Sequence, residues 1–194
     1  MKRDNRLVAL SLVVALAQIS FLTWVIAGRA ELLRDGREIA LKVHPVDPRD
    51  LLRGDYVRLG YDISSIPVSL IENLSVDLAT TRAGPIYVRI KKAEDGYWHA
   101  VSASLYEPAS AAEDDGTVEL RGQVAAGWSL GPDASLSVDY GIERFYLPEG
   151  EGRALEQDMR TRAFGIRLAV ASDGTAQIKA LMDGETTLYE EPLY

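Results

Sequence analysis

The first pattern in the chain is a block. Leu7 to Ala27 reads LVALSLVVALAQISFLTWVIA, twenty-one residues without a charge or a proline. As a helix it spans about 31 Å, matching a hydrocarbon core of about 30 Å. Twelve of its residues are Leu, Val, Ile or Phe. These favour the bilayer by about 4 to 7 kcal/mol, of which Ser11, Gln18, Ser20 and Thr23 give back only part. Trp24 stands near the far end, where aromatic rings prefer the interface. The pattern predicts one transmembrane signal-anchor helix, in contact with membrane lipid through residues 7–27.

Past residue 38 the period changes from block to alternation. Ile39, Leu41 and Val43 alternate with Ala40, Lys42 and His44, as in a half-buried strand. Tyr56–Ile63, Ile86–Lys91, Tyr97–Tyr106, Thr117–Trp128, Leu136–Ile142, Phe164–Val170 and Ile178–Met182 repeat that period. In the last run Ile178, Ala180 and Met182 share a face. Asp-Gly pairs separate several of these runs, where hairpin turns belong. Helical signal is confined to short pieces around Ser69–Leu74 and Gly152–Arg162, and residues 28–38 read as a final helical turn or a short stalk. The expected fold is mainly β, an antiparallel β-sandwich or partly open barrel preceded by one transmembrane α-helix. The division is residues 1–30 for the anchor and 31–194 for an exported β-rich domain.

Charge supplies orientation. Residues 1–30 carry Lys2, Arg3, Arg6 and Arg29 against Asp4, a balance of +3. The other 164 residues hold 17 basic and 28 acidic groups, a balance of −11. The positive-inside rule puts the N-terminus in the cytoplasm and the domain outside, which for a bacterial inner membrane is the periplasmic side. So acidic a body has no electrostatic footprint for nucleic acid, and it stands off anionic lipid. A cleaved signal peptide is the rival reading of the apolar block, with small residues near Ala27 and Ala30. Its apolar core is typically about 7–15 residues, shorter than this run. Ser11, Ala15 and Gln18 share one helix face, which suits packing against another membrane helix.

Candidate chemistry is thin. The chain has no cysteine, which removes disulfides, thiolate metal sites and cysteine nucleophiles. His44 and His99 lie on separate predicted strands without metal-ligand spacing, and read as half-exposed strand imidazoles. Glu149, Glu151, Glu156 and Asp158 lack the loop pattern of a calcium site, and the first two suit a helix start. Phosphate loops are absent. A Ser/Lys peptidase needs a serine just beyond the membrane segment, and none lies between Phe21 and Ile63. No cofactor is called for.

Residues 54–61 read Gly-Asp-Tyr-Val-Arg-Leu-Gly-Tyr. With the preceding Val46-Asp47-Pro48-Arg49-Asp50, the later Gly141-Ile142-Glu143-Arg144-Phe145-Tyr146, Pro148-Glu149-Gly150 and the N-terminal span, the chain resembles the bacterial family named for its GDYxxLxY signature. That resemblance implies a companion of a multi-span membrane protein and no established activity. Within the signature, Gly54 and Asp55 suit a turn, and Leu59 and Tyr61 share a core-facing stripe with Val57 and Ile63. Tyr56 falls on the opposite face, either bonded under a loop or part of a contact surface. Asp47, Arg49, Asp50 and Arg53 read as a loop braced by ion pairs and Asx turns. The expected function is protein binding by an anchored envelope domain. The competing expectation is a hydrolase or ligand-binding module that uses acidic groups around Asp47–Asp55 and Glu143–Glu151.

Overall fold

The computed structural model describes residues 2–45, 56–74, 82–108, 116–127, 131, 133–147, 152–159 and 162–192. Its first element is one unbroken helix, α1, Lys2–Asp35. The exposed apolar stretch within it makes α1 long and apolar enough to cross a membrane. Trp24 is 72% exposed.

The helix does not stop at the end of that stretch. Ala30, Glu31, Leu32, Leu33 and Arg34 are strong helix formers, and they carry α1 two turns further. Leu33 is 1% exposed where α1 meets the sheet. Gly36 then turns the chain directly into a strand, its N–H donating to the Leu32 carbonyl at 2.9 Å. A Cβ at Gly36 would sit 2.5 Å from that oxygen and 3.0 Å from the Ala169 Cβ, so only glycine permits the approach. Of the two readings of residues 28–38, the helical one holds as far as Asp35, and the helix is fused to the domain.

The domain is two antiparallel sheets. The first holds β1 (Arg37–Pro45), β2 (Tyr56–Tyr61), β8 (Arg144–Tyr146), β9 (Phe164–Val170), β10 (Ala176–Asp183) and β11 (Thr186–Glu190). Their order is β11-β10-β9-β1-β2-β8. The second holds β3 (Ser65–Pro67), β4 (Gly84–Lys92), β5 (Trp98–Leu105), β6 (Thr117–Val124) and β7 (Ser135–Asp139), ordered β3-β7-β6-β4-β5. The core lies between them. Ile39, Leu41, Val57, Leu59, Ile166 and Leu168 meet Ile86, Val88, Ile90, Leu120, Leu136 and Val138 in one buried cluster. Sandwich and open barrel are both realised, because the six-stranded sheet curls. The Phe145 ring of β8 packs edge-on against Tyr189 of β11, centroids 6.2 Å apart, so the two edge strands approach across a seam.

Two local expectations change. Ile178, Ala180 and Met182 do not share a face, because β10 carries a bulge between Ile178 and Ala180. Lys179 is the extra residue, and the shift pairs Ile178 with Leu168 and Leu181 with Ile166 on the core side. The segment around Ser69–Leu74 is a single 3₁₀ turn at Val68–Leu70 rather than a longer helix. Asn73 explains it: its amide donates to the Leu105 carbonyl and accepts from the Leu105 N–H, tying the chain to β5. The second predicted helix forms as α2, Gly152–Met159, with Leu155 and Met159 buried one turn apart.

Candidate functional site

The last six residues of the signature form β2, and β2 gains its edge partner from eighty-odd residues downstream. Strand β8 pairs antiparallel with it, setting Tyr56 opposite Tyr146, Val57 opposite Phe145 and Arg58 opposite Arg144. The Leu59 N–H donates to the Glu143 carbonyl at 2.9 Å, extending the pairing. Runs far apart in sequence are thus one structural unit.

Two tyrosines lock it. The Tyr61 hydroxyl donates to the Ile142 carbonyl at 2.6 Å, and the Tyr140 hydroxyl donates to the Ile63 carbonyl at 2.8 Å. Each segment supplies one ring and one carbonyl, and all four groups are buried. Burial is the main force that pushes both phenols well above the ordinary value of 10.0, with the nearby Glu143 carboxylate adding to it. Both rings are neutral donors, suited to holding backbone and unsuited to proton transfer near neutral pH.

Gly141 makes the turn between β7 and β8 possible, at φ +77°. Its N–H donates to the Asp139 carboxylate at 2.9 Å, and the Tyr140 N–H donates to Glu143 Oε1 at 2.7 Å. Burial, and then the neighbouring Asp139 carboxyl, raise the pKa of Glu143 above its ordinary 4.5 despite the Tyr140 N–H, which lowers it. Both carboxylates are therefore engaged in shaping the turn.

The outer face of the same unit is different. Tyr56 and Tyr146 stack at a tilt, centroids 6.0 Å apart, and the Arg144 guanidinium lies 5.9 Å above the Tyr56 ring. Tyr146 is 66% exposed. Arg144 and Tyr146 continue into a groove of about 440 Å³ at the sheet seam, shared with Arg29 of α1, Gln177 of β10 and Glu191. Arg29 pairs with Glu191 at 3.5 Å.

Of the signature, Leu59 is core, Tyr61 is half of the clamp, and Tyr56 faces out into the tyrosine–arginine surface. Gly54, Asp55, Asp47, Arg49, Asp50 and Arg53 lie outside the described residues, as do Glu149 and Glu151. His44 and His99 each bond a different carboxylate, Asp62 at 2.7 Å and Asp95 at 2.9 Å respectively. Among the described residues no three His, Asp or Glu side chains gather as a metal site would need. Sequence reasoning missed Tyr140 as a partner of the signature, although its core-facing alternation with Leu136 and Val138 was visible. It also missed the seam groove, which no single run encodes.

Removing either clamp hydroxyl strands a buried carbonyl, so Tyr61→Phe and Tyr140→Phe each cost about 1–3 kcal/mol of stability by denaturant unfolding. Unchanged midpoints in both would contradict the clamp. Glu143 holds its proton more tightly folded than unfolded, so that contribution is present in acid and is lost as pH rises past the ordinary carboxyl range. The stability of the natural chain relative to Glu143→Gln falls over that rise; a difference independent of pH would contradict the assignment.

A family model described as GDYXXLXY protein matches residues 18–181, from within α1 to β10. No curated protein and no solved structure matches the chain. The match takes in the clamp, the β2–β8 pairing and most of both sheets, and the chain belongs to the GDYXXLXY family.

Proposed function

We propose that this is a membrane-tethered, non-enzymatic binding module whose exported domain docks on a multi-span membrane protein. The carrying observation is the tyrosine–arginine surface of Tyr56, Arg144 and Tyr146, which opens onto the same groove as Arg29. Tyrosine and arginine are the residues most enriched at binding hot spots, because each offers large contact area with a polar terminus. Arg29 stands two residues beyond Ala27, so this surface is held beside the membrane, within reach of a partner's extramembrane edge. The basic N-terminus supports an orientation with Lys2, Arg3 and Arg6 in the cytoplasm and the acidic domain across an inner membrane. Fusion of α1 to the sheet means that a partner helix packing on Ser11, Ala15 and Gln18 and a partner loop at Tyr146 would bind one rigid body.

The hydrolase reading finds less support. The one described carboxylate of its second cluster, Glu143, is committed to the turn by the Tyr140 N–H.

Site-specific photo-cross-linking in the native membrane tests the proposal. A cross-linker replacing Tyr146 captures a multi-span protein, and Arg144→Glu cuts that yield about tenfold, equivalent to about 1.4 kcal/mol. A cross-linker at Val101, exposed on the other sheet, captures none of it. Equal capture from both positions, or no discrete product from Tyr146, would overturn the proposal.

A further inference from the structure

Strand β8 is an open edge of the six-stranded sheet, and its register shows which backbone groups it leaves free. The Leu59 N–H bonds the Glu143 carbonyl, so the opposed pairs Leu59–Glu143 and Val57–Phe145 are the hydrogen-bonded ones. The alternate pairs, Arg58–Arg144 and Tyr56–Tyr146, are not. Alternation therefore turns the N–H and C=O of Arg144 and of Tyr146 away from β2. Among the described residues nothing bonds these four groups. The β5 edge of the other sheet is treated differently. There the Glu72 N–H donates to the Ala103 carbonyl at 2.9 Å, and the Asn73 amide takes both backbone groups of Leu105. Val101 is the extra residue of a bulge against β4. Cover and bulge are how a sheet edge is closed to other strands, and β8 has neither.

The space beside β8 suits a strand. The seam groove of about 440 Å³ runs between Arg144 and Tyr146 on one side and Ala176, Gln177 and Ile178 of β10 on the other. Counting antiparallel neighbours around the sheet, β8 and β10 run in the same sense. A segment laid between them is antiparallel to both, as β11 is where the Phe145 and Tyr189 rings meet. Arg144 adds a charge criterion. Its guanidinium lies over the Tyr56 ring and pairs with no carboxylate among the described residues, in a chain that carries −11 beyond residue 30.

We propose that the partner binds by strand addition: an extended segment of its extramembrane part pairs antiparallel with β8 as a further edge strand. The inference rests on the docking reading above and specifies how that docking is made. Main-chain bonds to Arg144 and Tyr146 attach the segment, and its alternate side chains give selectivity. Read from its N-terminus, it carries an aromatic or β-branched residue opposite Tyr146, an apolar residue opposite Phe145 and a carboxylate opposite Arg144. The middle residue turns toward the seam with Phe145. The carboxylate meets a guanidinium that no described carboxylate of this chain neutralises.

The photo-cross-linker at Tyr146 tests this in native membranes when it is combined with two substitutions at Arg144. Arg144→Ala removes the side chain and keeps the outward N–H. Arg144→Pro removes both and costs no bond to β2, because that N–H points away from it. Arg144→Pro is expected to cut capture about tenfold below Arg144→Ala, since a main-chain acceptor of the partner loses its donor. A second reading needs no proline. Single-amide hydrogen exchange compares the cross-linked complex, Arg144 intact, with uncoupled chain from the same preparation. The Arg144 amide is expected to slow about tenfold or more in the complex, as a newly paired strand amide does. An unprotected Arg144 amide, or equal capture by the two variants when both are folded by circular dichroism, would overturn strand addition and leave docking through side chains in place. Capture of no multi-span protein at Tyr146 would overturn the docking reading, and this inference with it. A product of two copies of this chain would assign the edge to self-association and overturn both.

Discussion

The last two turns of α1 constrain everything beyond them. A helix joined to a domain by a flexible linker would leave the domain free to tumble, and no surface of it would have a fixed height above the bilayer. Here Leu33 is buried on the sheet and Gly36 allows the chain to pass from helix to β1 without an intervening segment. Eight residues separate Ala27 from Asp35, about 12 Å of helix. The acidic domain is therefore not kept at a distance by a stalk, as its charge alone would suggest. Under the proposed anchoring it sits close to the bilayer, with the groove that Arg29 and Arg144 line on its membrane-proximal side.

The tyrosine clamp determines what that groove looks like. Strand β8 has only three residues, too few to hold an edge position through its own ladder. It is fixed because Tyr61 bonds the Ile142 carbonyl just before it, because Tyr140 bonds the Ile63 carbonyl just after β2, and because Phe145 enters the seam against Tyr189. Once Phe145 points inward, alternation sends Arg144 and Tyr146 outward. The signature residues thus act at one remove. Leu59 and Tyr61 hold the strand, and the strand presents an outward face they do not themselves form.

Much of this was legible in the chain, and the reasons for the rest are physical. The apolar block gave the long exposed helix directly, and the alternation of Ile39, Leu41, Val43, Val57, Leu59 and Tyr61 gave their burial, since each run is long enough to set its own phase. Strands β3 and β8 have three residues each, too short to show a period. The bulge at Lys179 inverts phase within β10, and a phase inversion looks the same as noise in one sequence. Residues 28–35 contain good helix formers among charged groups, so helical turn and stalk stayed open in the sequence. The buried contact of Leu33 accompanies the helix that forms. The seam groove draws on α1, β8, β10 and the chain after β11, so only the folded chain assembles it.

The central claim is that fusion of α1 to the sheet holds the Arg144–Tyr146 surface at headgroup level, and fluorescence quenching measures this directly. The chain lacks cysteine, so Tyr146→Cys introduces a single attachment point for a fluorophore in the full-length protein. After reconstitution into vesicles, nitroxides carried on lipid headgroups should quench it strongly, and nitroxides deep in the acyl chains should not. Fluorescence unaffected by headgroup nitroxides would mean that the domain stands clear of the bilayer, and the account would fail.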